Sequence, residues 1–189
     1  TARHAIESGK LDLVGMTRAH LADPHIALKI KQGREHEIRP CVGMGYCIDS
    51  IYGGHAVCIH NAATGRELTM PHVVTRTDGP LKSFVVVGAG PAGLEAARVA
   101  AARGHKVVLM EAADQPGGQV RVAAGLARRR EIMGVIDWRV AQCEKHGVEL
   151  RFNQYAEAED VLREGPDVAI VATGGVPNVD FLRAGAELA

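Results

Sequence analysis

Cys41, Cys47 and Cys58 fall within eighteen residues of one another, spaced C-x5-C-x10-C on a stretch without helical or strand period. Soft thiolates gathered on irregular backbone suit an iron-sulfur cluster or zinc, because several ligands must converge from one segment. Three ligands are one short of four. Position 44, where a C-x2-C-x2-C run would place its middle cysteine, is Met44, whose neutral thioether replaces a thiolate poorly. A fourth ligand from His55, His60 or elsewhere, a three-iron cluster, a Cys3His zinc site, an empty degenerate site and simple reduced cysteines all stay open. Cys143, far off in a helical stretch, reads as core filler.

A second set of residues has phosphate chemistry. Gly88, Gly90 and Gly93 form G-x-G-x-x-G, with Pro91 and Ala92 inside it, directly after the apolar run Phe84 to Val87 and before a helical pattern. The first glycine permits the tight turn, the second lets backbone approach a pyrophosphate, and the third lets helix and strand pack closely. Backbone N–H groups at the helix start then face the anion. Glu111 ends the next strand eighteen residues after Gly93, where a carboxylate can accept from ribose hydroxyls. Two later segments, Pro116-Gly117-Gly118-Gln119 and Ala172-Thr173-Gly174, resemble the two-dinucleotide-binding flavoproteins. In that family the first lines the flavin dinucleotide and the second marks the exit from its domain. They favour a flavin over a nicotinamide at this site.

The elements that must position these groups follow from periodicity. Ala2 to Ser8 reads as a helix, Leu11, Leu13 and Val14 as a short strand, and the stretch through Ile26, Ala27 and Ile30 as a helix ending near Gly33. From Arg39 to about Pro80 the chain loses periodicity, a length uncommon for a plain loop unless a metal or similar group orders it. Then come a strand Ser83 to Val87, a helix Ala92 to Arg103 and a strand Lys106 to Met110, a βαβ half-unit that implies a parallel sheet. A helix within Ala127 to His146 with Gly147 as its stop, a strand Val148 to Phe152, a short helix Glu157 to Arg163 and a strand Val168 to Val171 follow. The expected architecture is α/β: an N-terminal piece 1–38, a cluster segment and linker 39–80, and a partial doubly wound Rossmann-like domain 81–189 whose sheet the last residues leave unfinished.

Composition narrows the partners. Lys plus Arg and Asp plus Glu each total 22 in 189 residues, so no charge excess points to nucleic acid or an anionic membrane. The chain is 47% hydrophobic and 23% charged, the balance of an ordinary globule rather than a disordered chain. The longest apolar stretch, Phe84 to Ala102, carries Glu95 and Arg98, which argues against a membrane span. His25, His36, His72, His105 and His146 read as solvated or capping residues, and no H-E-x-x-H, Ser-His-Asp or Cys-His set accompanies them. Thiolates without a disulfide pattern suit a reducing compartment, the cytoplasm. A homo-oligomer stays open.

The order of parts carries a further resemblance. Gly9 to Arg18, then Leu21-Ala22-Asp23-Pro24, resembles the last strand and loop of the old yellow enzyme-type (β/α)8 flavin barrel. Arg39-Pro40-Cys41-Val42-Gly43, the later cysteines, Asn61 to Glu67 and the glycine fingerprint follow in the order of the multidomain NADH:flavin oxidoreductases similar to 2,4-dienoyl-CoA reductase and trimethylamine dehydrogenase. The resemblance implies that Thr17 and Arg18, at the C-terminal end of a barrel strand, help hold the phosphate of FMN. It implies that Cys41, Cys47 and Cys58 are three of four ligands to a 4Fe-4S or 3Fe-4S cluster. It also implies that Gly88, Gly90, Gly93, Glu111, Gly118 and Gln119 hold FAD, or ADP alone. The wording Cys-Val-Gly-x-x-Tyr-Cys with Cys-Ile-His-Asn is closest to the branch described as N-methylproline demethylases.

This resemblance implies an oxidoreductase acting on a small molecule. In the demethylase branch the flavin accepts hydride from an N-methyl carbon; in the reductase branch electrons run from NAD(P)H through FAD and cluster to FMN and an enoyl or dienoyl thioester. The barrel's substrate-contacting side chains and a nicotinamide domain are not in these residues, so no catalytic residue is expected here and the piece alone is expected to be inactive. Two other classes remain in view: a non-catalytic module held together by ADP and a structural metal, and an electron-transfer subunit resembling the small subunit of glutamate synthase.

Overall fold

The computed structural model describes residues 2–175. Up to Pro80 the regular elements among the described residues are short helices: α1 (Ala2–Glu7), α2 (Thr17–Ala22), α3 (Ile26–Lys31) and α4 (Tyr46–Ile51), with a 3-10 turn at Glu35–Glu37. The expected strand at Leu11, Leu13 and Val14 does not form. No described segment runs beside it to pair its N–H and C=O groups, and Leu13 is left 87% exposed; an alternating run becomes a strand only with a partner.

The rest follows the α/β pattern. In chain order come β1 (Ser83–Val87), α5 (Pro91–Ala102), β2 (Lys106–Met110), α6 (Gln119–Ala124), a 3-10 segment Ala127–Met133, α7 (Gly134–Lys145), β3 (Glu149–Arg151), α8 (Ala158–Arg163) and β4 (Val168–Val171). All four strands are parallel, ordered β3-β2-β1-β4, with Val85 opposite Val108 on one side and Ala169 on the other. Valine runs suit strands covered on both faces. One face meets α5 and α7 through Val86, Leu94, Ala97, Leu109, Ile136 and Cys143. The other gathers Val85, Val108 and Met110 against Val161 of α8, so the sheet is wound on both sides.

The helix expected within Ala127 to His146 splits, since its first seven residues, Ala127–Met133, wind as 3-10 and only Gly134–Lys145 is α. Gly147, with φ 75°, ends it as expected. α8 begins with a reciprocal capping box between Glu157 and Asp160. No helix among the described residues is long and apolar enough to cross a membrane.

Candidate functional site

The sheet order reverses at β1, because β2 and β3 lie on one side and β4 on the other. Such a switch point opens a crevice at the carboxyl ends of the strands. Here it is a cleft of ≈ 750 Å³ lined by Gly88, Gly90, Pro91, Ala92, Glu111, Gly118, Gln119, Ala172, Thr173 and Gly174, among others. Every one of these was singled out from sequence. Gly93 is buried behind them, and Gly117 stands in the adjoining turn.

The glycines are required by space. A Cβ on Gly88 would stand 2.5 Å from the Ala172 carbonyl oxygen, and Gly88 has φ 104°. A Cβ on Gly93 would overlap the Gly88 carbonyl oxygen. Gly90 has nothing within 4 Å of where a Cβ would be, which leaves its backbone bare to the cleft just before Pro91 opens α5. The Gly117 N–H donates to the Ala89 carbonyl at 2.8 Å and brings the next loop alongside. Gln119 bridges the cleft by donating from its amide to the Gly175 carbonyl at 2.8 Å.

Glu111 is held by two backbone donors. The Ala89 N–H donates to its Oε2 at 2.6 Å and the Ala113 N–H to its Oε1 at 2.8 Å. Each carboxylate oxygen keeps a second lone pair, enough to accept from a ribose diol. Bare backbone, a helix start, a fixed acid and this volume fit a dinucleotide.

Cys41, Cys47 and Cys58 line one small cleft together with Arg18, Met44 and His60. All are free thiols; Cys41 is exposed, and Cys47 and Cys58 are half-buried. Among the described residues no three His, Cys, Asp or Glu side chains stand close enough to share one metal ion. Three thiolates lining one cleft are a soft donor set, of the kind that an iron-sulfur cluster or a zinc ion would take. Cys143 is fully buried, with its thiol 3.4 Å from the Leu94 carbonyl, and burial pushes it up to about 12. It is core, as expected.

Thr17 and Arg18 open α2 and are not at the end of a strand. Both are exposed, and Arg18 lines the cysteine cleft. The His60 Nδ1 donates to the Pro40 carbonyl at 2.9 Å, which leaves Nε2 as a buried acceptor without a partner. Burial lowers its pKa to about 4, with nearby Arg139 and Arg39 adding to the effect, so the ring is neutral at pH 7.

Two constellations escaped the sequence reading. Asp23, 3% exposed, accepts from Lys29 Nζ at 2.6 Å and from the Arg39 and His25 N–H groups at 2.8 and 3.1 Å; it pins the start of the cysteine segment. Below that segment Glu95, Arg98, Arg139 and Arg39 gather around Trp138. Glu95 accepts from Arg98 Nη2 and Nε at 2.5 and 3.1 Å. Arg139 Nε lies 3.0 Å from Glu95 Oε2, an ion pair without the alignment of a hydrogen bond. Arg39 and Arg98 stand 4.2 and 5.3 Å from the Trp138 ring centre. The available signal was Glu95 with Arg98, two charges inside the most apolar run of the sequence.

Residues 54–189 match the family described as pyridine nucleotide-disulphide oxidoreductase, well over half of the chain, and the chain belongs to that family. Over 189 residues it is 62% identical to the "Probable N-methylproline demethylase" of Rhizobium meliloti (strain 1021), an alignment covering 100% of this chain and 28% of that protein. It is 50% identical over 182 residues to the "Multifunctional alkene reductase/demethylase OYE" of Caballeronia cordobensis, covering 96% and 26%. A solved complex of 2-naphthoyl-CoA reductase superposes with TM-score 0.87 at 34% identity, over 94% of this chain and 27% of that one. The expected likeness to the multidomain flavoproteins and their demethylase branch is borne out. The chain spans about a quarter of the length of these relatives.

Proposed function

We propose that these residues form the electron-transfer part of an iron-sulfur flavoprotein oxidoreductase, and that the whole protein removes an N-methyl group from a small amine. The observation that carries this reading is the cleft at the strand-order reversal, where the fingerprint glycines, Glu111 and Gln119 converge. A flavin dinucleotide bound there would supply reversible two-electron chemistry. Gly90 and the first turn of α5 would approach its pyrophosphate, Glu111 would accept from its ribose, and Gly117 to Gln119 would flank it. Cys41, Cys47 and Cys58 would ligate the cluster, and Thr17 with Arg18 would face the phosphate of FMN in a barrel supplied largely by other residues.

Demethylation is preferred to thioester reduction because the 62% likeness is to a protein named "Probable N-methylproline demethylase" and the likeness to the CoA reductase is 34%. The balance is simple: the N-methyl carbon would give up a hydride to the bound flavin, water would add to the resulting iminium carbon, and the adduct would break at the C–N bond into the demethylated amine and formaldehyde with release of one proton. Formaldehyde released in proportion to an N-methyl amino acid consumed by the full-length protein, with FAD, FMN, iron and sulfide recovered from it, is the expected result. NAD(P)H-dependent enoyl reduction without formaldehyde would overturn the demethylase reading. ADP recovered in place of FAD would overturn the flavin at the fingerprint alone.

A further inference from the structure

The cysteine segment rests on a charged cluster that the proposed chemistry has not used. Arg98 and Arg139 pair with the single carboxylate of Glu95, and Arg39 faces the same Trp138 ring as Arg98, a surplus of two positive charges among these four side chains. Asp23, which Arg39 senses, is already matched by Lys29 at 2.6 Å. Arg98 and Arg139 are buried at 7% and 6% exposure. Isolated charges in such a place are costly and persist when partnered or useful.

The cluster touches the cysteine segment from both ends. Arg39 is two residues from Cys41, and Arg139 Nη2 donates to the His60 carbonyl, two residues past Cys58, at 3.3 Å. His60 in turn donates to the Pro40 carbonyl beside Cys41. Val42, next to Cys41, belongs to the same buried core as α5 and α7. The start of α7 lies so close that a Cβ on Gly134 would stand 3.1 and 3.2 Å from Pro40 and Val42. Glu95 and Arg98 sit on α5, whose first turn lines the dinucleotide cleft. One buried unit therefore joins both ends of the cysteine segment to the helix that leads from the other site.

We propose that Arg39, Arg98 and Arg139, offset by Glu95, are positioning residues that raise the reduction potential of the iron-sulfur cluster held by Cys41, Cys47 and Cys58. This rests on the cluster reading above. Reduction adds one negative charge to a cluster, and fixed cations behind its ligand loop stabilise that charge through a poorly screened interior. The same contacts hold the loop in register, which a charge-free core could do as well; the charge surplus is what sets the potential.

The test is a spectroelectrochemical titration of the cluster in the full-length holoprotein and three variants. Arg39→Gln removes one charge and leaves Glu95 its two arginines, so a lower midpoint is expected. Glu95→Gln removes the offsetting carboxylate, so a higher midpoint is expected. Arg39→Lys keeps the charge and is expected to restore the wild-type midpoint. Midpoints unchanged in all three, or displaced in one direction regardless of charge, would overturn the proposal while the cluster reading stood. Should Glu95→Gln fail to fold, the Arg39 pair decides by itself. Holoprotein without iron and sulfide would remove the cluster reading, and this proposal with it.

Discussion

Gly93 shows how one missing atom positions a site: its Cβ would overlap the Gly88 carbonyl oxygen, and 3.3 Å away lies the Ala172 side chain. Gly93→Ala must push α5 off β1, which is expected to lower stability by about 1–3 kcal/mol and to reduce the flavin retained on purification; a denaturant melt and released-flavin fluorescence measure both. Glu111→Ala strips the acceptor from the Ala89 and Ala113 amides. With hydrogen bonds to a charged group contributing about 1.5–3 kcal/mol, the dinucleotide is expected to bind roughly 10- to 100-fold more weakly, read by fluorescence titration. Cys143 gives a pH signature. Its thiol ionises near 9.0 when exposed and at about 12 when folded, so its share of stability is complete below pH 9.0 and is lost as pH rises through about 12. The difference in urea stability between wild type and Cys143→Ala is expected to fall across that window.

At the scale of elements, the join between α3 and the cysteine segment depends on Asp23. Burial pushes this carboxyl up, but hydrogen bonds from Lys29 and the Arg39 amide, the Lys29 charge and the His25 amide outweigh it and hold its pKa below 3.8. The stabilisation is therefore present above pH 3.8 and lost as pH falls below it. Asp23→Asn leaves Lys29 unmatched and is expected to cost about 3 kcal/mol, seen as a lower urea midpoint, with iron content falling in parallel if the segment is loosened. The elements legible in the sequence were those with local causes: valine runs for β1 and β2, a small-residue face for α5, Gly147 closing α7. Those that were not had no local cause strong enough. Helices α2, α4 and α6 are six residues each, shorter than a helix sustains by itself. The run at Leu11 to Val14 alternates like a strand but lacks a neighbour among the described residues.

For the molecule as a whole, Trp138 is the only tryptophan and sits where the N-terminal segments meet the α/β domain. Its indole N–H donates to the Glu37 carbonyl at 3.1 Å, His60 meets its edge with ring centres 5.4 Å apart, and Arg39 covers its face. Its emission therefore reports docking of the two parts. Urea unfolding followed by Trp138 emission and by far-ultraviolet circular dichroism is expected to give one coincident transition; an earlier emission change would show the parts separating before the sheet melts. The sequence by itself determined the parallel sheet, the fingerprint and the glycines and acid that line its cleft, but not Gln154 or Tyr155 on the same wall, because strand, turn, helix and acid lie within about thirty residues and each has a local signature. It also named the three cysteines. Only the tertiary structure decided what stands behind them: Arg39, Glu95, Arg98 and Arg139 are scattered over a hundred positions, and no spacing rule joins charges whose partners are chosen by how α5, α7 and an irregular segment pack.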